Sequence, residues 1–104
     1  MITIHRTERF AKWLGDLRDL AVKVQILRRL KRIEGGNFGD TKSVGDGVHE
    51  IRIHSGPGYR MYYTYNGVEI VILLSGGDKD SQDSDILRAK EIAKEIENGN
   101  YPTV

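Results

Sequence analysis

The sequence predicts an α+β fold, in which a short strand and two helices are followed by three strands and a closing helix. Three observations lead to this prediction. Apolar residues recur at helical spacing in three segments, they recur at strand spacing between residues 48 and 75, and the later strands follow one another directly. Strands in a run, with the helices segregated from them, are typical of an antiparallel α+β sheet. At 104 residues the chain is predicted to be one domain, 1–104, of order β-α-α-β-β-β-α.

The first half of the chain is predicted to contain one strand and two helices. Residues 2–5 are predicted to form the strand, and Thr7 is the expected N-cap of the first helix. The apolar side of this helix consists of Phe10, Trp13, Leu14 and Leu17. A second helix is predicted over 19–34, ended by Gly35 and Gly36. Its buried stripe is expected to be Leu20, Val24, Leu27 and Leu30, with Ile26 and Ile33 beside it. The other face carries Lys23, Arg28, Arg29, Lys31 and Arg32, a pattern that most often marks a solvated helix face.

The second half is predicted to be a loop, three strands and a helix. The loop covers 37–47 and the strands 48–53, 59–65 and 68–75, with a type I′ hairpin turn at Asn66-Gly67. The last helix is expected to begin near Ser81 or Asp83 and to end at 98–100, which leaves 101–104 as a tail.

The hairpin turn predicts which side chains share a face of the sheet. If Tyr65 lies opposite Val68, one buried face holds Tyr59, Met61, Tyr63, Tyr65, Val68, Ile70, Ile72 and Leu74, and Arg60 and Tyr62 lie on an open face. An odd-length turn over 54–58 then places Arg52 across from Arg60. Like charges in that position are unfavourable by roughly 0.2–1 kcal/mol. The sequence leaves two explanations open: an anion binds between the arginines, or Glu50 and Glu69 neutralise them.

Composition excludes several classes of protein. The net charge is +1, and with no cysteine there is no disulfide framework, thiol chemistry or Cys-based zinc site. Three histidines offer few metal ligands, so neither metal nor cofactor is expected. The first ten residues lack the pattern of a secretory signal, and the longest apolar run, VEIVILL, is too short for a membrane span. A cytoplasmic protein without a membrane partner is therefore predicted.

A cationic groove is predicted on the open face of the sheet. Lys79 follows the last strand after Gly76 and Gly77, which let a backbone turn sharply or come close to a ligand. Together with Arg52 and Arg60 it would form a groove rimmed by Tyr62 and His54. Tyrosine faces stack on exposed bases, so single-stranded RNA is the expected ligand.

Two long segments carry a family resemblance. GVHEIRIHSGPGYRMYY (47–63) and VILLSGGDKDSQDSDILRAKEIA (71–93) resemble the RelE/ParE superfamily of toxin–antitoxin toxins, and within it the HigB-like branch of phage-derived or addiction-module killer proteins. The resemblance implies a small twisted, mostly antiparallel sheet with two N-terminal helices on one face. It also implies a ribosome-dependent endoribonuclease that cuts mRNA and is held inactive by an antitoxin, expected to be a small helix-turn-helix protein encoded beside it.

Site residues follow from the same resemblance. Arg60 matches the most recurrent active-site arginine of such toxins, Arg52 lies on a strand that supplies active-site residues, and Lys79 occupies the place of a further catalytic cation or histidine. The sequence departs from several relatives by having Lys79, Asp80 and Gln82 where they carry a histidine or tyrosine.

Metal-free RNA cleavage would assign each candidate a role. Arg52 and Arg60 would hold the scissile phosphate, because a guanidinium binds phosphate in bidentate fashion. Glu50 or His54 would be the base, although Glu50 is as well explained as an ion-pair partner, and Lys79 would stabilise charge or donate a proton. The expected RNA contacts are Tyr62, Gln82, Arg28, Arg29 and Arg32. Two alternatives stay open: a ParE-like toxin that binds DNA gyrase, and a co-repressor that binds operator DNA with its antitoxin.

Overall fold

The computed structural model describes residues 1–99, so the predicted stop at Asn100 and the tail at 101–104 lie outside it. The α+β class is confirmed. The elements are β1 (Thr3–Arg6), α1 (Glu8–Asp16), α2 (Leu20–Glu34), β2 (Thr41–Gly45), β3 (Val48–Ile53), β4 (Tyr59–Asn66), β5 (Ile70–Gly77) and α3 (Gln82–Glu97). Within the part of the chain that the structure describes, no helix is long and apolar enough to cross a membrane.

Side-chain caps set the starts of the first two helices, and the Thr7 cap was predicted. The Thr7 side chain accepts a hydrogen bond from the amide of Phe10 at 3.1 Å, and its hydroxyl donates to the Leu74 carbonyl at 2.7 Å. Asp19 accepts from the amides of Ala21 and Val22, which satisfies donors that a helix start otherwise leaves open.

The sheet has the strand order β1-β5-β4-β3-β2. β1 pairs with β5 in parallel, and the other neighbours are antiparallel. The predicted loop over 37–47 was wrong in part, because 41–45 form the edge strand β2. Its hairpin with β3 turns at Asp46 and Gly47, whose φ angles of 55° and 76° are both positive, as a type I′ turn requires.

The predicted register of the β4–β5 hairpin was wrong. Asn66 pairs with Ile70, so the turn has three residues, 67–69, and not two, and a bulge lies between Tyr62 and Tyr63. Between Ile70 and Leu73 this shift is odd, so it moves those β5 side chains to the face opposite to the predicted one. Val71 and Leu73 therefore share a core with Met61 and Tyr63. Ile70, Ile72 and Leu74 lie on the other face, and Val68 is 91% exposed.

Both faces of the sheet are covered, which corrects the prediction of one open face. α1 and α2 pack on the face that carries Ile51 and Ile53. α3 packs on the face that carries Val48, Tyr62 and Leu74. Arg60 and Tyr62 are consequently buried.

The buried stripe of α2 also differs from the prediction. Its core residues are Val22, Ile26, Leu30 and Ile33, whereas Leu20, Val24 and Leu27 are exposed. Both sets have helical spacing, so spacing alone did not distinguish them.

Candidate functional site

A fully buried carboxylate, Glu50 on β3, is the centre of the candidate site. Its side chain has no exposed surface, and Gln82 at the start of α3 donates to Oε2 at 2.8 Å. Three cations surround it: Arg52 Nε lies 3.5 Å from Oε1, Arg60 Nε 3.7 Å from Oε2, and Lys42 Nζ 4.0 Å from Oε1. A buried carboxylate is stable only with such partners. Glu50 therefore organises the cations of this face.

Arg52 and Arg60 lie opposite each other across β3 and β4, as the five-residue turn predicted. Glu50 contacts both guanidinium groups, so it offsets one of their two positive charges, which is the part of the second explanation that the structure shows. Glu69 is exposed in the turn that precedes β5. The two arginines differ in access, since the side chain of Arg52 is 41% exposed and that of Arg60 only 10%.

Three buried polar atoms beside Glu50 find no hydrogen-bond partner within residues 1–99. They are Arg60 Nε, the Tyr62 hydroxyl and Ser75 Oγ. Tyr62 pairs with Ser75 across β4 and β5, so these atoms occupy neighbouring positions of the sheet. Burial raises the pKa of Tyr62, and the nearby carboxylates of Glu50 and Asp85 raise it further, so the phenol stays protonated. Because Tyr62 is fully buried, its predicted stacking on a base is not available in this conformation.

Lys79 follows β5 and contacts the same region through the loop that joins β3 to β4. Its amide donates to the Pro57 carbonyl at 3.4 Å, and Arg60 Nη1 donates to the Gly58 carbonyl at 2.9 Å. Gly58 has φ +77°, and a Cβ added there would stand 3.6 Å from Lys79 Cβ and 3.5 Å from Arg60 Nη1. The loop is thus held between Arg60 and Lys79. The Lys79 side chain is exposed at the rim of the cluster.

Gly76 and Gly77 belong to β5 and serve close packing, in contrast to the flexible turn that was predicted. A Cβ added at Gly76 would collide with the Trp13 ring, and one added at Gly77 would collide with Asp85 and Ser81. Ser81 donates to Asp85, so this close approach fixes the first turn of α3 and with it Gln82.

The remaining predicted site residues form a second group, beside α2. His54 Nε2 lies 2.6 Å from Asp40 Oδ2, and this hydrogen bond holds the pKa of Asp40 below its usual range. Gln25, Arg28, Arg29, Arg32, Ile53 and His54 line a cavity of about 290 Å³. The structure thus places His54 with the α2 arginines and not with Glu50.

Arg29 forms hydrogen bonds with the main chain in this second group. It donates to the carbonyls of Arg52, Phe38 and Asp40 at 2.9, 3.3 and 3.2 Å. Burial lowers its pKa. Arg28 and Arg32 are exposed and remain accessible to a ligand.

Sequence reasoning missed three parts of the cluster: Lys42, Ser75 and the Ser81–Asp85 pair. Lys42 lay in the predicted loop, although the Asp46-Gly47 hairpin signal pointed to a strand before it. Ser75 was missed because the predicted register did not pair it with Tyr62. In residues 1–99, no three or more His, Asp or Glu side chains group closely enough to hold a metal ion.

Fold and cluster together define a small α+β protein with a cationic patch built around a buried carboxylate. The chain belongs to the family described as "Phage derived protein Gp49-like (DUF891)", which it matches over residues 12–97. It is similar to a protein of Haemophilus influenzae (strain ATCC 51907 / DSM 11121 / KW20 / Rd) described as "Uncharacterized protein". The two are 50% identical over 95 residues, which cover 91% of this chain and 96% of the relative. No solved structure matches the chain with significance.

Proposed function

We propose that this chain is the toxin of a type II toxin–antitoxin module and that it cleaves mRNA on the ribosome. Membership of the phage-derived Gp49-like family is consistent with such a module. The resemblance of residues 47–63 and 71–93 to RelE/ParE toxins supports the same assignment. The partners in this proposal are a cognate antitoxin, mRNA and the ribosome.

The observation that carries the proposal is an excess of cations around one buried carboxylate. Arg52, Arg60 and Lys42 contact Glu50, so three cations share one buried carboxylate, and Lys79 stands at the rim. The side chains of Arg52 and Lys42 are 41% and 54% exposed, which leaves their outer donors free for a ligand. A phosphodiester supplies the missing negative charge and suits guanidinium donors.

The reaction proceeds by attack of the neighbouring 2′-hydroxyl on phosphorus. The bond from the 2′-oxygen to phosphorus forms, and the bond from phosphorus to the 5′-oxygen breaks. A proton leaves the 2′-hydroxyl and another reaches the 5′-oxygen. The products are a 2′,3′-cyclic phosphate, or the 3′-phosphate that its hydrolysis gives, and a 5′-hydroxyl.

In this proposal the tasks are divided among the cluster residues. Arg52 binds the phosphate and stabilises the charge that develops on it, and Lys79, exposed at the rim, donates to the leaving oxygen. Glu50 has no exposed surface and is surrounded by donors, so its role is to hold Arg52 and Arg60. Within residues 1–99, neither predicted base is free for that role, since Glu50 is enclosed by donors and His54 is paired with Asp40.

Ribosome dependence follows from this incomplete set of groups. A ribosome that holds the mRNA with its 2′-hydroxyl in line could contribute roughly 7–11 kcal/mol through orientation alone. The exposed Arg28 and Arg32 of α2 would contact ribosomal RNA phosphates, so association should weaken steeply with salt.

Primer extension on an mRNA with and without ribosomes, run beside a gyrase supercoiling assay, tests the proposal. We expect cleavage only with ribosomes. Arg52→Ala should lower the cleavage rate at least about 10²-fold, as loss of one charge-stabilising donor does. Arg9→Ala, which removes an exposed cation of α1, is the matched control and should cleave normally. Inhibited supercoiling with intact mRNA would show that the chain is a gyrase-binding toxin and not a nuclease. Full cleavage activity of Arg52→Ala would refute the proposed site.

A further inference from the structure

The second helix carries apolar side chains on two opposite sides. Its inner side packs in the core through Val22, Ile26, Leu30 and Ile33. Its outer side exposes Leu20, Val24 and Leu27, which are 73%, 44% and 52% accessible. We call these three residues the outer stripe. At 100° per residue they lie within about 60° of one another, facing away from the sheet.

A contiguous apolar stripe on a solvent-facing helix calls for a partner. Single exposed apolar residues are ordinary, but adjacent ones mark interaction surfaces. The steps of four and three residues from Leu20 to Leu27 match the d-a-d spacing of a coiled-coil seam, and Lys31 occupies the next a position. Such a seam accepts the side chains of another helix. From Leu20 to Lys31 it is about 16 Å long, which corresponds to three turns.

The charges beside the stripe specify the partner further. No acidic residue occurs between Leu20 and Ile33, while Lys23, Arg28 and Lys31 lie along or within the stripe. A second copy of this chain would bring these cations against the same cations, which opposes self-pairing. RNA phosphates would match the cations but would leave Leu20 and Leu27 in contact with charge. A helix with an apolar seam and acidic flanks matches both features.

We propose that the outer stripe of α2 is a docking surface for an amphipathic helix of another protein, with apolar residues along its seam and Glu or Asp beside it. Such a helix would bury the three stripe residues and pair its acids with Arg28 and Lys31. It would also cover the cationic side of α2. The proposal does not depend on nuclease activity, and the two can fail separately.

Synthetic helical peptides provide the probe. One peptide of about 21 residues carries Leu at a and d and Glu at e and g, and its twin carries Lys in place of Glu. Binding to the full chain is measured by fluorescence anisotropy at two salt concentrations. We expect the acidic peptide to bind, more weakly at high salt, and the basic peptide not to bind.

Variants of the stripe test where the peptide binds. Leu20→Ser and Leu27→Ser together should weaken binding at least about tenfold, or 1.4 kcal/mol. Leu87→Ser removes a 64% exposed leucine of α3 and should change nothing. Lys31→Glu with Arg28→Glu should reverse the preference between the two peptides. All five replaced residues are exposed, and unchanged thermal unfolding will confirm that each variant is folded.

Four results would overturn the proposal. Equal binding of both peptides, or acidic-peptide binding that the stripe variants do not weaken, would mean that the stripe is not the contact. Sedimentation that shows a dimer of the wild-type chain, dissociated by Leu27→Ser, would assign the stripe to a second copy. Failure of the acidic peptide, with tight binding of single-stranded RNA that the stripe variants leave unchanged, would assign this side of α2 to nucleic acid.

Discussion

Replacing Glu50 by glutamine isolates the charge at the centre of the cationic cluster. The substitution keeps the shape of the side chain, and the new amide oxygen can still accept from Gln82. What it removes is the negative charge between Arg52 and Arg60. At the 3.7 Å that separates Arg60 Nε from Glu50 Oε2, the attraction is about 4–5 kcal/mol at an effective dielectric constant of about 20.

The net loss should be smaller than this attraction. Arg52 and Lys42 are 41% and 54% exposed, so water compensates for most of their lost pairing. Arg60 is 10% exposed and keeps an uncompensated buried charge, a situation that costs about 3–5 kcal/mol. Since the hydrogen bond to Gln82 survives, we expect the free energy of unfolding at pH 7 to fall by about 3 kcal/mol, at the lower end of that range.

Urea unfolding followed by the fluorescence of Trp13, the single tryptophan, measures this loss. The midpoint should fall by roughly 1–3 M with the slope unchanged. Combining Glu50→Gln with Arg60→Gln should cost less than the sum of the two changes, because neither charge is then left alone. Lys12→Gln is the control: its pair with Asp16 is shorter, at 2.8 Å, but 77% and 67% exposed, and its loss should not move the midpoint. Equal small effects of Glu50→Gln and Lys12→Gln would refute the idea that Glu50 anchors the cluster.

Two further predictions concern packing and pH. Gly76→Ala places a methyl group in the Trp13 ring, so it should lower the free energy of unfolding by about 1–3 kcal/mol and shift the Trp13 emission. Adding Trp13→Leu to this variant should restore part of the loss. An unchanged melting temperature of Gly76→Ala would contradict this packing. Burial raises the pKa of Tyr63 to about 12 from 10.0 in the unfolded chain, so the native state holds the phenol proton more tightly. The contribution of Tyr63 to the free energy of unfolding should therefore be fully present below pH 10 and should fall as the pH rises toward 12. Tyr63→Phe should lose stability less steeply in that window in urea titrations at pH 9, 10 and 11, and a slope equal to that of the wild type would show that Tyr63 does not contribute.

Local signals explain what could be predicted from the sequence. Thr7 and Asp19 cap their helices through hydrogen bonds to amides two or three positions further along the chain. Short stretches of sequence therefore suffice to predict where these helices begin. The pairing of Arg52 with Arg60 followed from the five-residue turn that joins their strands, because an odd turn length sets which side chains face each other.

The features that could not be predicted depend on contacts between distant elements. Whether Glu50 is buried depends on where α3 packs, and no residue near Glu50 encodes that. Asn66-Gly67 favoured a two-residue turn, but the three-residue turn moves Ile72 and Leu74 toward α3. In α2, two apolar stripes have the same spacing, and only the packed structure shows which one enters the core.

The bond from the Thr7 hydroxyl to the Leu74 carbonyl spans 67 positions of the chain and ties the start of α1 to β5. β1 runs parallel to β5 beside this bond, from Thr3 opposite Ile70 to Arg6 opposite Leu73. During synthesis β1 therefore has no strand to pair with until β5 has emerged, and contacts of such long sequence separation are slow to form. β1 is thus among the last elements to reach its native pairing, and a chain truncated before residue 70 lacks the strand that pairs with it.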